Sequence, residues 1–207
     1  PRPVEAPAPD GLVRRFAEAG ETVTETHQGP ANQAAVAIAW ETGGGEARAT
    51  EGRQLDILAE LFQDRLFERF RGEQAKSYSP FVSSSWPTEF DSGGYLVAAS
   101  QVEPENVDRF LSLAREIAAD MAANPVAADE LTRAVEPIRQ LIIRASSGNT
   151  FWMDQLEGAT QDPAKITRLR TLLSDYTNVT PAQIQALAAR YLKPDGGFVM
   201  KVLPAKS

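Results

Sequence analysis

The chain has no cysteine and a single histidine, His27, among its 207 residues. The missing cysteines exclude disulfide bonds and thiolate metal ligands. One histidine cannot form an H-x-x-E-H or H-x-x-x-H pair, and acidic pairs such as Asp129 and Glu130 are predicted to lie on exposed helix faces. The sequence therefore predicts no metal or other cofactor site within this chain. His27 stands beside Gln28 and Gly29 in a polar stretch, which is typical of a solvated histidine at a strand end or turn.

Other absences exclude further classes of protein. No run approaches the roughly 18 apolar residues of a membrane span. The net charge is -7, and no basic cluster follows an aromatic stripe, so nucleic acid is not an expected partner. Ser83, Ser84 and Ser85 lack a G-x-S-x-G elbow and are predicted to lie on a sheet surface. Gly43 to Gly45 are not followed by a phosphate-binding pattern and predict a turn.

The length and the hydrophobic content of 43% suit one domain with a packed core. Residues 1–11, PRPVEAPAPDG, contain four prolines in their first nine positions and are interpreted as an interdomain linker. Such a beginning suggests a piece of a larger protein. We therefore expect a single domain over residues 12–207.

Alternating residues predict the strands. QAAVAIAW places Val36, Ile38 and Trp40 on one face and alanines on the other, and the alanine face could accept a closely packed helix. YSPFVSSSW and GGYLVAASQV, joined by turn residues, predict an antiparallel hairpin. FVMKVLP predicts a closing strand. Residues 12–29 give no clear pattern.

Helical periodicity is clearest in residues 49–70, where a stripe of apolar residues recurs at steps of three and four. A second amphipathic helix follows Pro104. Helices are also predicted at 127–145, with a kink at Pro137, at 150–161 and at 163–175. TPAQIQALAARYL begins with a Thr180 and Gln183 capping box. This order predicts an α+β fold, a mostly antiparallel sheet with helices packed on one face.

The segment FRGEQAKSYSP carries the candidate site. Arg71 and Tyr78 lie seven residues apart, between the long helix and the hairpin, so their donor groups could converge on one carbonyl oxygen. On the residues alone a structural role is favoured, with Arg71 binding helix-end carbonyls and Tyr78 anchoring the sheet.

This segment resembles the Arg/Tyr motif in the C-terminal, non-metal domain of insulinase/pitrilysin-family zinc metallopeptidases, the inverzincins. The order of strand, long helix, hairpin, helix and final T-x-x-x-I-Q-x-L-A-x-R-Y-L helix extends the similarity over about residues 12–203. The resemblance implies the metallohydrolase lobe fold that the mitochondrial processing peptidases share. Bacterial members often read Arg-Glu-x-x-Gly-Leu-x-Tyr, whereas this chain has Gly72, Ala75 and Lys76 at the differing positions.

The resemblance further implies a function. Tyr78 and Arg71 would bind the scissile and neighbouring carbonyls of an extended peptide, while zinc and the general base would lie in a separate H-x-x-E-H lobe, on the same polypeptide or a partner subunit. The isolated chain would then be inactive. Similar bacterial proteins are often exported, which favours the periplasm and leaves the cytoplasm open. The alternative is a non-catalytic scaffold or interaction domain of the same fold.

Overall fold

A five-stranded sheet is the framework of the fold. A computed structural model describes residues 20–73, 80–193 and 195–205 of the chain, so the predicted linker and the first residues of the predicted domain lie outside the described part. The strands are β1 Thr22–His27, β2 Ala34–Glu41, β3 Phe81–Ser85, β4 Tyr95–Val102 and β5 Phe198–Pro204. Their order is β1-β5-β2-β4-β3. All neighbouring pairs are antiparallel except β1 and β5, which confirms the predicted α+β class.

Helices fill the two long connections of the sheet. They are α1 Ala49–Glu73, α2 Val107–Ala123, α3 Ala128–Ala145, α4 Asn149–Leu156, α5 Ala164–Thr177 and α6 Pro181–Tyr191. The α6 capping box is confirmed, because Gln183 N–H donates to Thr180 Oγ1 and Thr180 N–H donates to Gln183 Oε1. α3 continues through Pro137. Within residues 20–73, 80–193 and 195–205, no helix is long and apolar enough to cross a membrane.

The core lies on one side of the sheet. Val36, Ile38 and Trp40 of β2 are buried there, and the Trp40 ring lies 5.8 Å from the ring of Phe62 in α1. The helices therefore cover the face with the bulky side chains. The sequence suggested that the alanine face of β2 would receive a helix, but Ala37 and its neighbours on that face are only half-buried. The larger side chains of β2 face the core because their burial removes more apolar surface from water than burial of the alanines would.

β1 is a strand that the sequence pattern does not predict. Its sequence, TVTETH, has a single aliphatic residue, Val23, and most of its side chains are exposed. Because β1 lies at the sheet edge, it needs little apolar content, and its hydrogen bonds to β5 hold it in place. His27 ends this strand as expected. Its Nε2 donates to the Gln33 carbonyl at 2.8 Å, and its Nδ1 accepts from the Gly29 N–H at 2.9 Å.

The predicted turn at Gly43 to Gly45 interlocks with the hairpin loop. The Gly94 N–H donates to the Gly43 carbonyl at 2.9 Å, and Trp86 Nε1 donates to the Gly45 carbonyl at 3.0 Å. A Cβ atom on Gly94 would collide with the Gly43 carbonyl oxygen and lie 2.6 Å from the Ser85 carbonyl oxygen. The two loops therefore approach closely only because Gly94 has no side chain. Their contact fixes the start of α1 against the sheet.

Replacing Gly94 by alanine should lower the free energy of unfolding by about 1–3 kcal/mol, because backbone atoms must move to admit the methyl group. Urea titration followed by circular dichroism would measure the change. Gly148→Ala is the matched control, since a Cβ at Gly148 would lie 3.6 Å from its nearest neighbour. Equal effects of the two substitutions would contradict the close approach of the two loops at Gly94.

Candidate functional site

Of the two predicted site residues, the structure describes only the backbone of Arg71. Arg71 belongs to the last turn of α1, and its side chain lies outside what the structure describes. Tyr78 belongs to residues 74–79, which also lie outside the described part. The convergence of the two donors therefore stays a prediction. What the structure does describe is how the flanking elements are held.

Both flanks of the segment are fixed. Before it, Phe70 is buried and packs edge-on against Phe110 of α2, with ring centroids 5.9 Å apart. After it, Pro80 is buried, and the backbone N–H of Val82 donates to Gln63 Oε1 at 3.0 Å. Gln63 is on α1, so this helix covers the outer edge of β3. The helix that ends near Arg71 thus binds the strand that begins just after Tyr78.

A second contact joins α1 to β3 nearer the start of the helix. The Ser84 hydroxyl donates to Asp56 Oδ1, and the Tyr176 hydroxyl of α5 donates to Asp56 Oδ2 at 2.7 Å. Burial, with the Asp56 charge as the next cause, raises the pKa of Tyr176, so this phenol keeps its proton and remains a donor. In the sequence, Asp56 and Gln63 lie off the apolar stripe of α1. Helical periodicity alone does not distinguish a polar residue that binds a strand edge from one that faces water.

Arg65 joins three helices. Its Nε and Nη2 donate to the two Glu130 carboxylate oxygens of α3, at 2.7 and 2.9 Å, and its Nη1 donates to Asp120 of α2 at 2.8 Å. The Arg65 and Glu130 side chains are only 17% and 18% exposed. The sequence suggested that Asp129 and Glu130 both lie on an exposed helix face; this is wrong for Glu130. Hydrogen bonding by Arg65 lowers the pKa of Glu130 despite the opposing effect of burial.

Arg65→Met should destabilise the fold by about 1.5–3 kcal/mol, the usual range for a hydrogen bond to a charged group. Because the pKa of Glu130 is lowered in the folded chain, the pair stabilises above the unfolded pKa of glutamate, about 4.3. That contribution is lost as pH falls through the lowered folded value. Urea titrations from neutral to acidic pH should therefore show the two proteins converging in stability.

Arg133→Met is the matched control for Arg65. Arg133 forms an exposed pair with Asp129 one turn away in α3, and water screens such pairs so strongly that they add little to stability. A loss in Arg65→Met no larger than in this control would show that the three-helix junction adds nothing to stability.

An acidic stripe runs along α1 toward its C-terminal end. Asp56, Glu60, Asp64 and Glu68 follow one another at steps of four, so they line one side of the helix. Burial, followed by the charges of Asp64 and Asp56, raises the pKa of Glu60. The pKa of Asp64 is also raised, by burial first and then by Glu68 and Glu130. Mutual repulsion of the ionised groups opposes folding.

Glu60→Gln should stabilise the chain at neutral pH, by about 0.2–0.5 kcal/mol for each like-charge pair removed. A raised folded pKa means that wild type loses stability as pH rises from the unfolded glutamate value through the folded value. The advantage of the variant should therefore grow over that window and vanish below it. Chemical denaturation at several pH values measures this, with the exposed Glu105→Gln as control. A stability advantage that is the same at acidic and neutral pH would show that the charge of Glu60 is not its cause.

The described residues do not fit a catalytic metal. Within residues 20–73, 80–193 and 195–205, no three or more His, Cys, Asp or Glu side chains form a group that could hold a metal ion. His27 uses both ring nitrogens in local hydrogen bonds at the end of β1. The acidic stripe of α1 lies along one helix and has no neighbouring group that completes a coordination shell.

Comparison with known proteins gives consistent results. A family model described as "Peptidase M16 inactive domain" matches residues 4–138. A peptidase M16 inactive domain from Pseudomonas fluorescens is similar in structure, with a TM-score of 0.72, 16% identity and coverage of 95% of this chain and 47% of that one. An inactive peptidase domain from Bordetella parapertussis gives a TM-score of 0.69 and 17% identity, covering 87% of this chain and 98% of that one. A search of curated protein sequences finds no match.

Many similar structures are longer than this chain. The periplasmic protease PqqL from Escherichia coli gives a TM-score of 0.70 at 18% identity, and the match covers 91% of this chain but 21% of PqqL. For a conserved protein from Enterococcus faecalis the corresponding share is 42%. The chain therefore spans less than half of these relatives.

Proposed function

The chain belongs to the peptidase M16 inactive-domain family, and from this premise we propose that it forms the substrate-binding, non-metal wall of a zinc-dependent endopeptidase. A separate lobe carrying H-x-x-E-H would supply the metal and the general base. The insulinase/pitrilysin resemblance read from the sequence is the same family, and that identification is confirmed. What we propose beyond the family is that this chain binds the peptide substrate during hydrolysis.

One structural observation carries the proposal. α1 is bound to β3 through Gln63 and Val82, and Phe70 is packed on α2. These contacts fix the helix end that bears Arg71 and the strand that follows Tyr78. A catalytic donor must be held in place before the reaction to be effective, because reorganisation during the reaction would cost energy. Fixed flanks on both sides support the proposal that the two donors are held in this way.

The chemistry assigned to the two residues is electrostatic. Tyr78 would donate its hydroxyl proton in a hydrogen bond to the scissile carbonyl oxygen as negative charge develops there. Arg71 would bind the neighbouring peptide carbonyl or orient Tyr78, and its guanidinium stays charged at any working pH. Zinc would activate the attacking water from the other lobe, and none of the described residues of this chain fits the metal.

The substrate would be an extended peptide whose main chain is paired along a strand edge. In this chain the N–H of Val82 at the β3 edge already donates to Gln63. That donor is not available to a substrate strand. We therefore place the substrate pairing on the metal lobe, with this chain contributing side-chain contacts from the opposite wall.

The test is reconstitution of this chain with its metal lobe and measurement of peptide cleavage. Tyr78→Phe and Arg71→Ala should each lower kcat by about 10²–10³, the usual loss on removing one oxyanion donor. Arg69→Ala is the matched control, because Arg69 is an exposed arginine of the same helix two residues earlier. It should retain full activity.

Unchanged turnover in both Tyr78→Phe and Arg71→Ala would remove the assigned roles and favour the alternative, a scaffold or interaction domain of the same fold. Retained binding of the metal lobe in the variants would show that lost activity is a loss of chemistry and not of assembly.

We also propose that the parent protein acts in the periplasm. The support is that PqqL, one of the similar structures, is described as a periplasmic protease.

A further inference from the structure

β1 is an edge strand, and half of its backbone hydrogen-bonding groups point away from the sheet. The Glu21 carbonyl accepts from the Val199 N–H at 2.8 Å, and the His27 carbonyl accepts from the Ala205 N–H at 2.9 Å. Alternate residues of a strand direct their backbone groups to opposite sides, so the odd-numbered residues of this segment bind β5. The N–H and C=O groups that point outward belong to Thr22, Thr24 and Thr26.

This outer edge lacks the features that usually protect an exposed strand. All six residues of β1 pair with β5 in one uninterrupted register, and the strand contains neither proline nor lysine. At the opposite edge of the sheet, by contrast, Gln63 of α1 binds the backbone N–H of Val82 in β3. Of the two edges, β1 is therefore the one that the described residues leave open to a further strand.

An open cavity of about 530 Å³ lies beside this edge, on the helix side of the sheet. Thr22 lines it from β1, Val199 lines it from β5, and Leu111 and Ala119 line it from α2. A strand added outside β1 would lie about 4.8 Å from it, with every second side chain directed toward α2. The cavity is therefore in place to receive those side chains, which is how strand addition gains selectivity.

The charged side chains that line this cavity are paired, with one exception. Lys201 Nζ lies 2.7 Å from Asp108 Oδ1, and Glu116 Oε1 lies 3.9 Å from Arg109 Nη1. Arg115 lines the same cavity and is half-buried, but it has no ion pair or hydrogen bond within the described part of the chain. A guanidinium binds a carboxylate through two parallel hydrogen bonds, so the cavity offers a site for an acidic side chain.

We propose that the outer edge of β1 binds an extended peptide segment that carries an aspartate or a glutamate. The peptide main chain would pair with the outward groups of β1, and its carboxylate would bind Arg115 in the cavity. A basic side chain at the same position would meet a like charge, which disfavours binding. The interaction goes beyond the proposed function, which uses Arg71 and Tyr78 and places the pairing of the scissile segment on the metal lobe.

Fluorescence anisotropy of the full chain with labelled heptapeptides tests the proposal. The probe is acetyl-Ser-Val-Thr-Glu-Thr-Val-Ser-amide, in which the glutamate and both valines share one face, and two matched peptides carry Gln or Lys in place of Glu. The Glu peptide should bind at least tenfold more tightly than the Lys peptide, about 1.4 kcal/mol, with the Gln peptide between them. Equal binding of the three peptides, or no binding of any of them at millimolar concentration, would overturn the proposal.

Charge reversal at Arg115 makes the test specific. Arg115→Gln should remove the preference for the Glu peptide, and Arg115→Glu should reverse it in favour of the Lys peptide. Arg170→Glu is the matched control, because Arg170 is an exposed arginine of α5 and the substitution changes the net charge by the same amount. It should keep the preference of wild type. A preference that changes equally in Arg115→Glu and Arg170→Glu would show that Arg115 does not bind the carboxylate.

Amide hydrogen exchange, followed residue by residue by NMR, identifies the edge that the peptide occupies. The Glu peptide should slow the exchange of the outward amides of Thr22, Thr24 and Thr26, which are open to water in the free chain. Thr24→Pro removes one outward N–H without removing a bond to β5, and it should weaken the binding of all three peptides. Slowed exchange confined to other strands would overturn the proposal. So would outward amides that are protected before any peptide is added, because the edge would then already be occupied.

Discussion

The contact on which most of the structure depends is the one between Arg65 and its two carboxylates. Its fork binds Glu130 and Asp120 at 2.7 to 2.9 Å and so joins α1, α2 and α3, which apolar packing alone would hold with less defined geometry. A planar guanidinium suits this role because its donors have fixed directions. With α1 fixed in this way, its two ends take up defined positions on the sheet.

α1 therefore connects structure to the proposed chemistry. Near its start Asp56 binds Ser84 and Tyr176, and further along Gln63 binds the backbone of Val82. The bonds to Ser84 and Val82 couple the helix to β3, the strand that begins just after Tyr78, and the bond to Tyr176 couples it to α5. The acidic stripe on the same helix works against folding, since the pKa of Glu60 and that of Asp64 are raised. The helix is thus held by its hydrogen bonds and its apolar stripe in spite of its own charge pattern.

Most elements were predictable where the chain has a strong local pattern. The hairpin of β3 and β4, the capping box of α6 and the apolar stripe of α1 all follow from short-range periodicity or turn chemistry. β1 was missed because an edge strand with mostly exposed side chains carries little hydrophobic pattern. Glu130 was misjudged because its partner, Arg65, is 65 residues away in sequence. For the candidate site, the sequence nominated Arg71 and Tyr78 through family resemblance, and their convergence remains a prediction.

The sequence by itself determined the α+β class, the family and the absence of its own metal-binding motif, because these depend on residue types at short, fixed spacings. Only the tertiary structure decided which face of the sheet is covered, which polar residues of α1 bind the strand edge, and that β1 runs parallel to β5. These features depend on partners far apart in the chain. No local pattern specifies such a partner, since its position is set by how the whole core packs.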